Sequence, residues 1–379
     1  MRHVFKKPAF VAPTLTTLLA LSTWGCGCSP APPKPTAGGA GDVKMVEVTE
    51  QDLILGFAQE KNRDHDDFSE MYVLRGKLDN GGTIYTRLRV TNFGPSADGR
   101  AAFTCHVTMP DETRHSFWLR RDDRKWKWGN DGLMADLKGA KVTGGVGHFE
   151  AEAEKDGRTL SLKVTSTHKP LQPIPPNALV GGESFYQAIL MIPHGKIEGT
   201  VTLKNGEKIE FTGGGHMEIR RTNVAPHHLG RRFFTLQDIS ADQTVHIWGV
   251  TLTEDLGGNS SGFALKANND TIEAYAPMLA LEAAEWEKHK KSGYSVPQTL
   301  ALKPAKGEGL TASVKAGELK EVKDELKNLS WIERTVAERF AKPFSYKHTS
   351  DYSITVPGKE GAEPVTIEGK ADYTYQRLN

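Results

Sequence analysis

The sequence predicts an all-β chain with one or two helices, folded as two tandem β-domains behind an exported leader. Three observations predict it. Apolar and polar residues alternate with period two along most of the body. The alternating runs are separated by turn chemistry, and a pattern in the first half recurs 161 residues later. Alternation is the mark of a half-buried strand, because successive side chains point to opposite faces of a sheet.

Composition narrows the function classes. The chain has 379 residues with 48 Lys and Arg against 47 Asp and Glu, so its net charge is only +1. Nucleic-acid binding normally leaves a basic surplus or stripe, and none is present here. The 38 glycines and 20 prolines suit many tight turns between short strands.

The leader reads as an export signal. Arg2, His3, Lys6 and Lys7 form a basic start, and Ala9 to Leu21 are mostly apolar or small. Such a run is too short to span a membrane as a helix. The sequence Gly25-Cys26 then resembles a bacterial lipoprotein signal, in which the cysteine becomes the lipidated first residue; Cys28 is the other possible acceptor. The resemblance departs at Thr23 and Trp24, where such signals usually carry Leu and a small residue. It implies a signal peptide over 1–25, a Pro/Gly-rich tether over 26–42 and attachment to the bacterial cell envelope. The domain would face the periplasm, with the outer membrane preferred because Gly27 is not the aspartate of inner-membrane retention. Cys105 is the one cysteine of the body, so no internal disulfide is expected.

The strands follow in order. Ile84, Thr86, Leu88 and Val90 alternate with Tyr85, Arg87 and Arg89, and Ala101 to Met109 repeat the pattern with Cys105 on the apolar face. Leu160, Leu162 and Val164 mark a third strand, and Ile197, Gly199, Val201 and Leu203 a fourth. The separators "DNGG" at 79–82, "KDGR" at 155–158 and "KNGE" at 204–207 are hairpin turns. One segment differs. Val322, Leu326, Leu329, Ile332, Val336 and Phe340 are spaced three or four apart after Leu319, which predicts an amphipathic helix ending before Pro343.

The repeat supplies the domain organisation. "TIYTRLRVTNFGPSADGRAAF" from Thr83 matches "TVHIWGVTLTEDLGGNSSGF" from Thr244, and "EMYVLRG" from Glu70 matches "RFFTLQD" from Arg231 at the same displacement. The stretch "TVTLKNGEKIEFTGGGHMEIRR" matches "SITVPGKEGAEPVTIEGKADYTYQR", with Gly213 opposite Gly369. Two β-domains follow, over 43–222 and 223–379, each closed by a strand that starts at glycines. Trp248 shares a face with His246, Val250 and Leu252, while Val245 and Ile247 take the other. A strand apolar on both faces is expected where a barrel wall also packs on a neighbouring domain.

Residues 184–221, "SFYQAILMIPHGKIEGTVTLKNGEKIEFTGGGHMEIRR", resemble the double-lipocalin proteins. That family includes carotenoid 1,2-hydratases, AttH-like proteins, yeast survival-factor proteins and fungal Diels–Alderases. Trp286 followed by "SGYSVP" at 292–297 echoes a second family feature, and it favours a strand over Met278–Lys291. The resemblance implies two tandem lipocalin-like (calycin) β-barrels. It also implies an acid-His-x-Trp element, of which this chain keeps the acid as Glu218 but has Ile219 and Arg221 in place of the His and Trp.

Candidate chemistry centres on that strand. His216, Glu218 and Arg220 alternate onto one face, and His227 and His228 follow. Histidine beside carboxylate suits acid–base work or zinc, but this is not a recurrent metal spacing, so neither metal nor cofactor is expected. "GNSSG" at 258–262 fits Gly-x-Ser-x-Gly but lies in a hairpin loop, not the strand–turn–helix setting that a nucleophile elbow needs. Tyr85, Arg87, Tyr186 and Trp248 are the expected ligand contacts, at a barrel mouth, with Arg89 and Phe185 beside them. Glu218, His216, His246 and Tyr186 are the candidates for catalysis.

Three functions fit: a lipid-anchored binder or carrier of a small apolar, lipid- or isoprenoid-like ligand; a hydratase, isomerase or cyclase on an apolar polyene; or an adaptor with filled barrels. Binding ranks first, because the acid-His-x-Trp element is incomplete. A monomer is expected.

Overall fold

The computed structural model describes residues 36–37, 47–93, 97–327, 331, 334–335, 338, 341–358 and 362–378. The signal segment, Cys26, Cys28 and most of the tether lie outside these residues, as do the predicted helix positions Leu329, Ile332, Val336 and Phe340.

The strands are β1 (Thr36–Ala37), β2 (Ser69–Leu78), β3 (Thr83–Thr91), β4 (Arg100–Thr108), β5 (Arg114–Arg121), β6 (Lys127–Trp128), β7 (Leu133–Asp136) and β8 (Ala140–Gly145). Next come β9 (His148–Lys155), β10 (Arg158–Thr165), β11 (Leu171–Ile174), β12 (Val180–Gly181), β13 (Tyr186–Thr202) and β14 (Lys208–Thr222). A short helix α1 (Pro226–Leu229) leads into β15 (Gly230–Ile239), β16 (Gln243–Leu252), β17 (Ser260–Asn268) and β18 (Ile272–Lys288). The last are β19 (Ser295–Lys303), β20 (Thr311–Asp324), β21 (Phe344–Val356) and β22 (Val365–Arg377).

The fold is mostly β. The first sheet curls in the order β5-β4-β3-β2-β14-β13-β10-β9-β8-β7-β6, with β11 added on β13. Its hydrogen-bonded path stays open between β5 and β6, so the first of the two expected barrels is a curled half-barrel. The second domain does close: β15 to β22 form an eight-stranded barrel through the pairing of β15 with β22. Residues matched in the repeat occupy corresponding strands, β2 with β15, β3 with β16, and β14 with β22.

Turn chemistry works as the residues dictate. Asp156 and Gly157 both take positive φ in the β9–β10 hairpin, at 55° and 72°, the backbone that a two-residue turn needs to match the strand twist. The 278–291 segment is strand, within β18 and the turn after it. The predicted helix begins instead as strand: Leu319 and Val322 lie in β20. Register shifts between Ala316 and Leu319, and between Leu319 and Glu321, insert extra residues there. A bulged strand breaks period two and mimics helical spacing. Among the described residues beyond it, Trp331, Arg334 and Thr335 are helical.

Apolar and aromatic side chains pack inside both domains. Tyr72, Leu74, Leu88, Phe103, Phe117, Phe149 and Ile219 pack inside the curled sheet. Phe234, Leu236, Ile247, Tyr346, Tyr373 and Tyr375 fill the barrel. Cys105 is wholly buried in the first core beside Thr86 Oγ1, and burial pushes its thiol up to about 12. It is a core residue. An ion pair plugs one end of the same sheet: Arg221 Nε donates to Glu70 at 3.0 Å, and Glu70 also accepts from the backbone of Gly56 and Phe57.

A third apolar core joins the domains. Ala178, Val180, Tyr186, Ala188 and Leu190 from the first pack on Trp248, Val250, Leu252, Phe263 and Leu265 from the second. β16 therefore faces the barrel interior through Val245 and Ile247 and the other domain through Trp248 and Val250, which explains its two apolar faces.

Gly214 of "GGGH" serves this junction, and Gly213 serves the pairing of β14 with β2. A Cβ on Gly214 would overlap the Ala241 carbonyl of the β15–β16 turn, and one on Gly213 would overlap the Lys77 carbonyl. Both neighbours are backbone and cannot swing aside. Gly214→Ala is therefore expected to lower stability by about 1–3 kcal/mol, read from the urea midpoint. Loss near zero would show that the two domains do not approach here.

Candidate functional site

The site begins with two strand faces that turn away from their own cores. In β14, Met217 and Ile219 point into the first core, so His216, Glu218 and Arg220 point outward. In β16 the corresponding outward residues are His246 and Trp248. The two faces meet, and the polar residues are consequently buried: His216 and His246 are 0% exposed and Glu218 3%.

Each buried group finds a partner. His216 Nδ1 lies 3.1 Å from the Pro193 carbonyl, to which it must donate, so its Nε2 is the acceptor. His246 Nδ1 donates to that Nε2 at 3.1 Å, and Gln237 Nε2 lies 3.4 Å from His246 Nε2. This assignment supplies every contact with one donor and leaves both rings neutral. Burial agrees with it, holding His216 down to about 4 and His246 well below its ordinary value.

Glu218 is the opposite case. Burial pushes its carboxyl up, but the charges of Arg220 and Arg75 outweigh this and hold it well below the usual carboxylate range. Arg75 Nη1 donates to one oxygen at 3.1 Å and Arg220 Nη2 to the other at 2.9 Å. Arg220 also lies over the Trp248 ring at 5.4 Å, and Trp248 stacks on Tyr186 at 5.9 Å. A carboxylate held this firmly ionised is unsuited to donating a proton.

His216, Glu218 and His246 bring their ligand atoms within 4.8 Å of one another, a donor set that zinc accepts. The electrostatics oppose a cation. Both Glu218 oxygens already accept from guanidinium groups, and a metal would sit beside Arg75 and Arg220. The hydrogen-bonded arrangement satisfies these groups without an ion.

Beside this cluster runs a cleft of about 490 Å³. Its walls are outer faces: Met71, Arg75, Tyr85, Arg87 and Arg89 from β2 and β3, Arg220 from β14, and Phe233, Thr235 and Gln237 from β15. Lys323, Lys347 and Gln376 complete it from the barrel, and Val224, Pro226 and Leu229 from the linker. The cavity thus lies between the domains, where a barrel mouth was expected. Alternation groups Tyr85, Arg87 and Arg89 on one face correctly, but that face looks outward, toward the second domain.

The sequence candidates separate accordingly. Tyr85, Arg87 and Tyr186 line the cleft. Glu218, His216 and His246 lie behind its wall, joined to it by Arg75, Arg220 and Gln237. Trp248 is buried in the inter-domain core directly behind the cleft-lining Tyr186 and Arg220, and Phe185 packs against the first core. "GNSSG" runs from a left-handed Gly257 into β17, so no helix follows its serines.

Sequence reading missed Asp67. It lines the cleft just before β2, and burial raises its carboxyl above the ordinary value, against a weaker lowering by His65 and His228. It also missed Phe233 and Gln237, although the alternation of β15 places them opposite Phe234 and Leu236.

No protein-family profile and no curated protein matches this sequence. Solved structures with a similar chain path include a protein described as an AttH from Nitrosomonas europaea, at 12% identity and TM-score 0.45, covering 85% of this chain and 96% of that one. Kievitone hydratase from Nectria haematococca is similar at 12% identity and TM-score 0.45, covering 91% and 98%. CghA with Sch210972 is similar at 12% identity and TM-score 0.49, covering 83% and 89%. These are double-lipocalin proteins, the group that residues 184–221 resemble. The likeness is one of chain path.

The neutral histidines make stability depend on pH. His216 titrates near 6.5 when unfolded and near 4 when folded, so its contribution is complete above pH 6.5 and is lost as pH falls toward 4. The slope reaches at most about 1.4 kcal/mol per pH unit for one such group. His216→Gln is expected to flatten the fall in unfolding free energy between pH 6.5 and 4. An unchanged slope would mean that the ring is protonated in the folded protein.

Proposed function

We propose that this chain binds a small, largely apolar molecule in the cleft between its two domains. The observation that carries this reading is the cleft's form: a concave space within the range of small-molecule sites, with Met71, Phe93, Tyr186, Val224, Leu229 and Phe233 among its lining. The apolar cores packed inside both β-domains favour the cleft over a lipocalin-type cavity as the seat of the carried ligand. The leader supports an exported, lipid-anchored monomer that acts at the bacterial cell envelope, facing the periplasm and held at the outer membrane through Cys26. Among the described residues no helix is long and apolar enough to cross a membrane.

A second reading is an acid-catalysed hydratase or isomerase working on a polyene. Asp67 favours it, being a carboxyl in the cleft with a raised pKa, as a general acid requires. Asp67→Asn would then retain the bound molecule and abolish its conversion. Recovery of that molecule unchanged after prolonged incubation with the wild-type chain would exclude the enzyme.

Two experiments test the main reading. Organic extraction of the purified full-length chain, followed by mass spectrometry, is expected to release a discrete apolar compound. Phe233→Arg should reduce its recovery at least tenfold at unchanged thermal stability; equal recovery would place the compound elsewhere. Labelling cells with a radioactive fatty acid should mark the wild-type chain and not Cys26→Ser. Label retained in that variant but lost in Cys28→Ser would move the acceptor, and label in neither wild type nor variant would remove the anchor.

A further inference from the structure

The outer face of β3 presents Tyr85, Arg87 and Arg89 at alternate positions along the cleft wall. The other cations of the cleft are engaged. Arg75 and Arg220 share Glu218, Lys323 pairs with Glu325 at 2.8 Å, and Lys347 pairs with Asp372 at 2.7 Å. Arg89 also has a partner. Arg87 differs. Among the described residues no carboxylate or hydrogen-bond acceptor meets it, and its Nε is buried without a partner.

The neighbours of Arg87 register its uncompensated charge. Burial and the like charges of Arg87 and Arg100 pull Arg89 down to about 10. Burial, Arg114 and Arg87 hold His106 down to about 4. Thr104, directly across the ladder from Arg87, and His106, across from Tyr85, each keep a buried polar atom without a partner. Buried polar groups are normally paired; Thr104 and His106 stand beside Arg87 and outside the cleft lining, so the group open to a polar partner from outside is the Arg87 guanidinium. The carboxylates that line the cleft, Asp67, Glu321 and Glu325, leave this place open: Glu325 is taken by Lys323 and Ser345.

We infer that the cleft ligand carries an anionic head group, a carboxylate or a phosphate monoester, seated on Arg87, with an apolar body along Phe233, Leu229 and Val224. The inference rests on the binding reading above and names its ligand class. A planar guanidinium donates two parallel hydrogen bonds to either oxyanion, and the linker and β15 supply the apolar surface.

Calorimetric titration of the full-length chain with decanoic acid, decyl phosphate and 1-decanol tests it. An anion should bind at least tenfold more tightly than the alcohol. The stronger of the two anions separates the carboxylate source from the phosphate source. Arg87→Met should remove the preference while leaving decanol binding unchanged, and Arg87→Lys should keep part of it. Thermal denaturation checks that both variants fold. Equal binding of acid and alcohol, or a preference that survives in a folded Arg87→Met, would overturn the anion inference and leave the cleft as a binding site. No binding of any of the three would overturn both.

Discussion

The contact between the outer faces of β14 and β16 is the constraint on which the rest depends. Each face would be half-polar wall in an isolated domain. Pressed together, they bury a carboxylate and two imidazoles, and burial of these groups is tolerable because each has a hydrogen-bond partner. Arg75 and Arg220 hold Glu218, Pro193 and His246 hold His216, and Trp248 closes over Arg220 and Tyr186. These contacts tie the domains together along the two strand faces. His194, which bonds Thr244 and Ala241 across the junction at 3.0 and 3.3 Å, adds a second anchor beside the glycines.

The cleft is a consequence of that placement. Two convex β-domains joined along one strand face leave a groove where their surfaces diverge, here between β2–β3 and β15. Its chemistry is set by residues that each strand places outward while its inward partners fill a core. The junction spends Arg75 and Arg220 on Glu218 and leaves Arg87 without a counter-charge. Structural and ligand-facing arginines thus stand two residues apart in register on neighbouring strands of one sheet, separated only by which carboxylate each can reach. The end of β14 shows the same division. Glu218 is a structural anion on its outer face, and Arg221 on its inner face plugs the sheet interior with Glu70.

Much of the fold was legible in the sequence because strand alternation and hairpin turns are local signals. Tyr85, Arg87 and Arg89 were grouped on one face, and Val245 and Ile247 were separated from Trp248, by counting alone. Counting does not say which face turns inward or what lies opposite it, so an inter-domain wall was read as a barrel mouth. The same limit hid Asp67 and Phe233, which enter the site only through the packing of one domain on the other. The start of the expected helix, at Leu319 and Val322, is strand for a different reason. Bulges in β20 shift the register twice, and three-residue apolar spacing then arises in a strand. His216, Glu218 and His246 were linked by chemistry in the sequence and do meet in space, but Arg75, which decides the charge state of Glu218, comes from a strand 143 residues away.

The most direct test of this account is a crystal structure of the chain with a long-chain carboxylic acid bound. The account predicts density in the cleft between β3 and β15, the carboxylate on Arg87 and the chain against Phe233 and Leu229, with His216 and His246 still in contact. Density inside the curled sheet or the closed barrel, with an empty cleft between them, would contradict it.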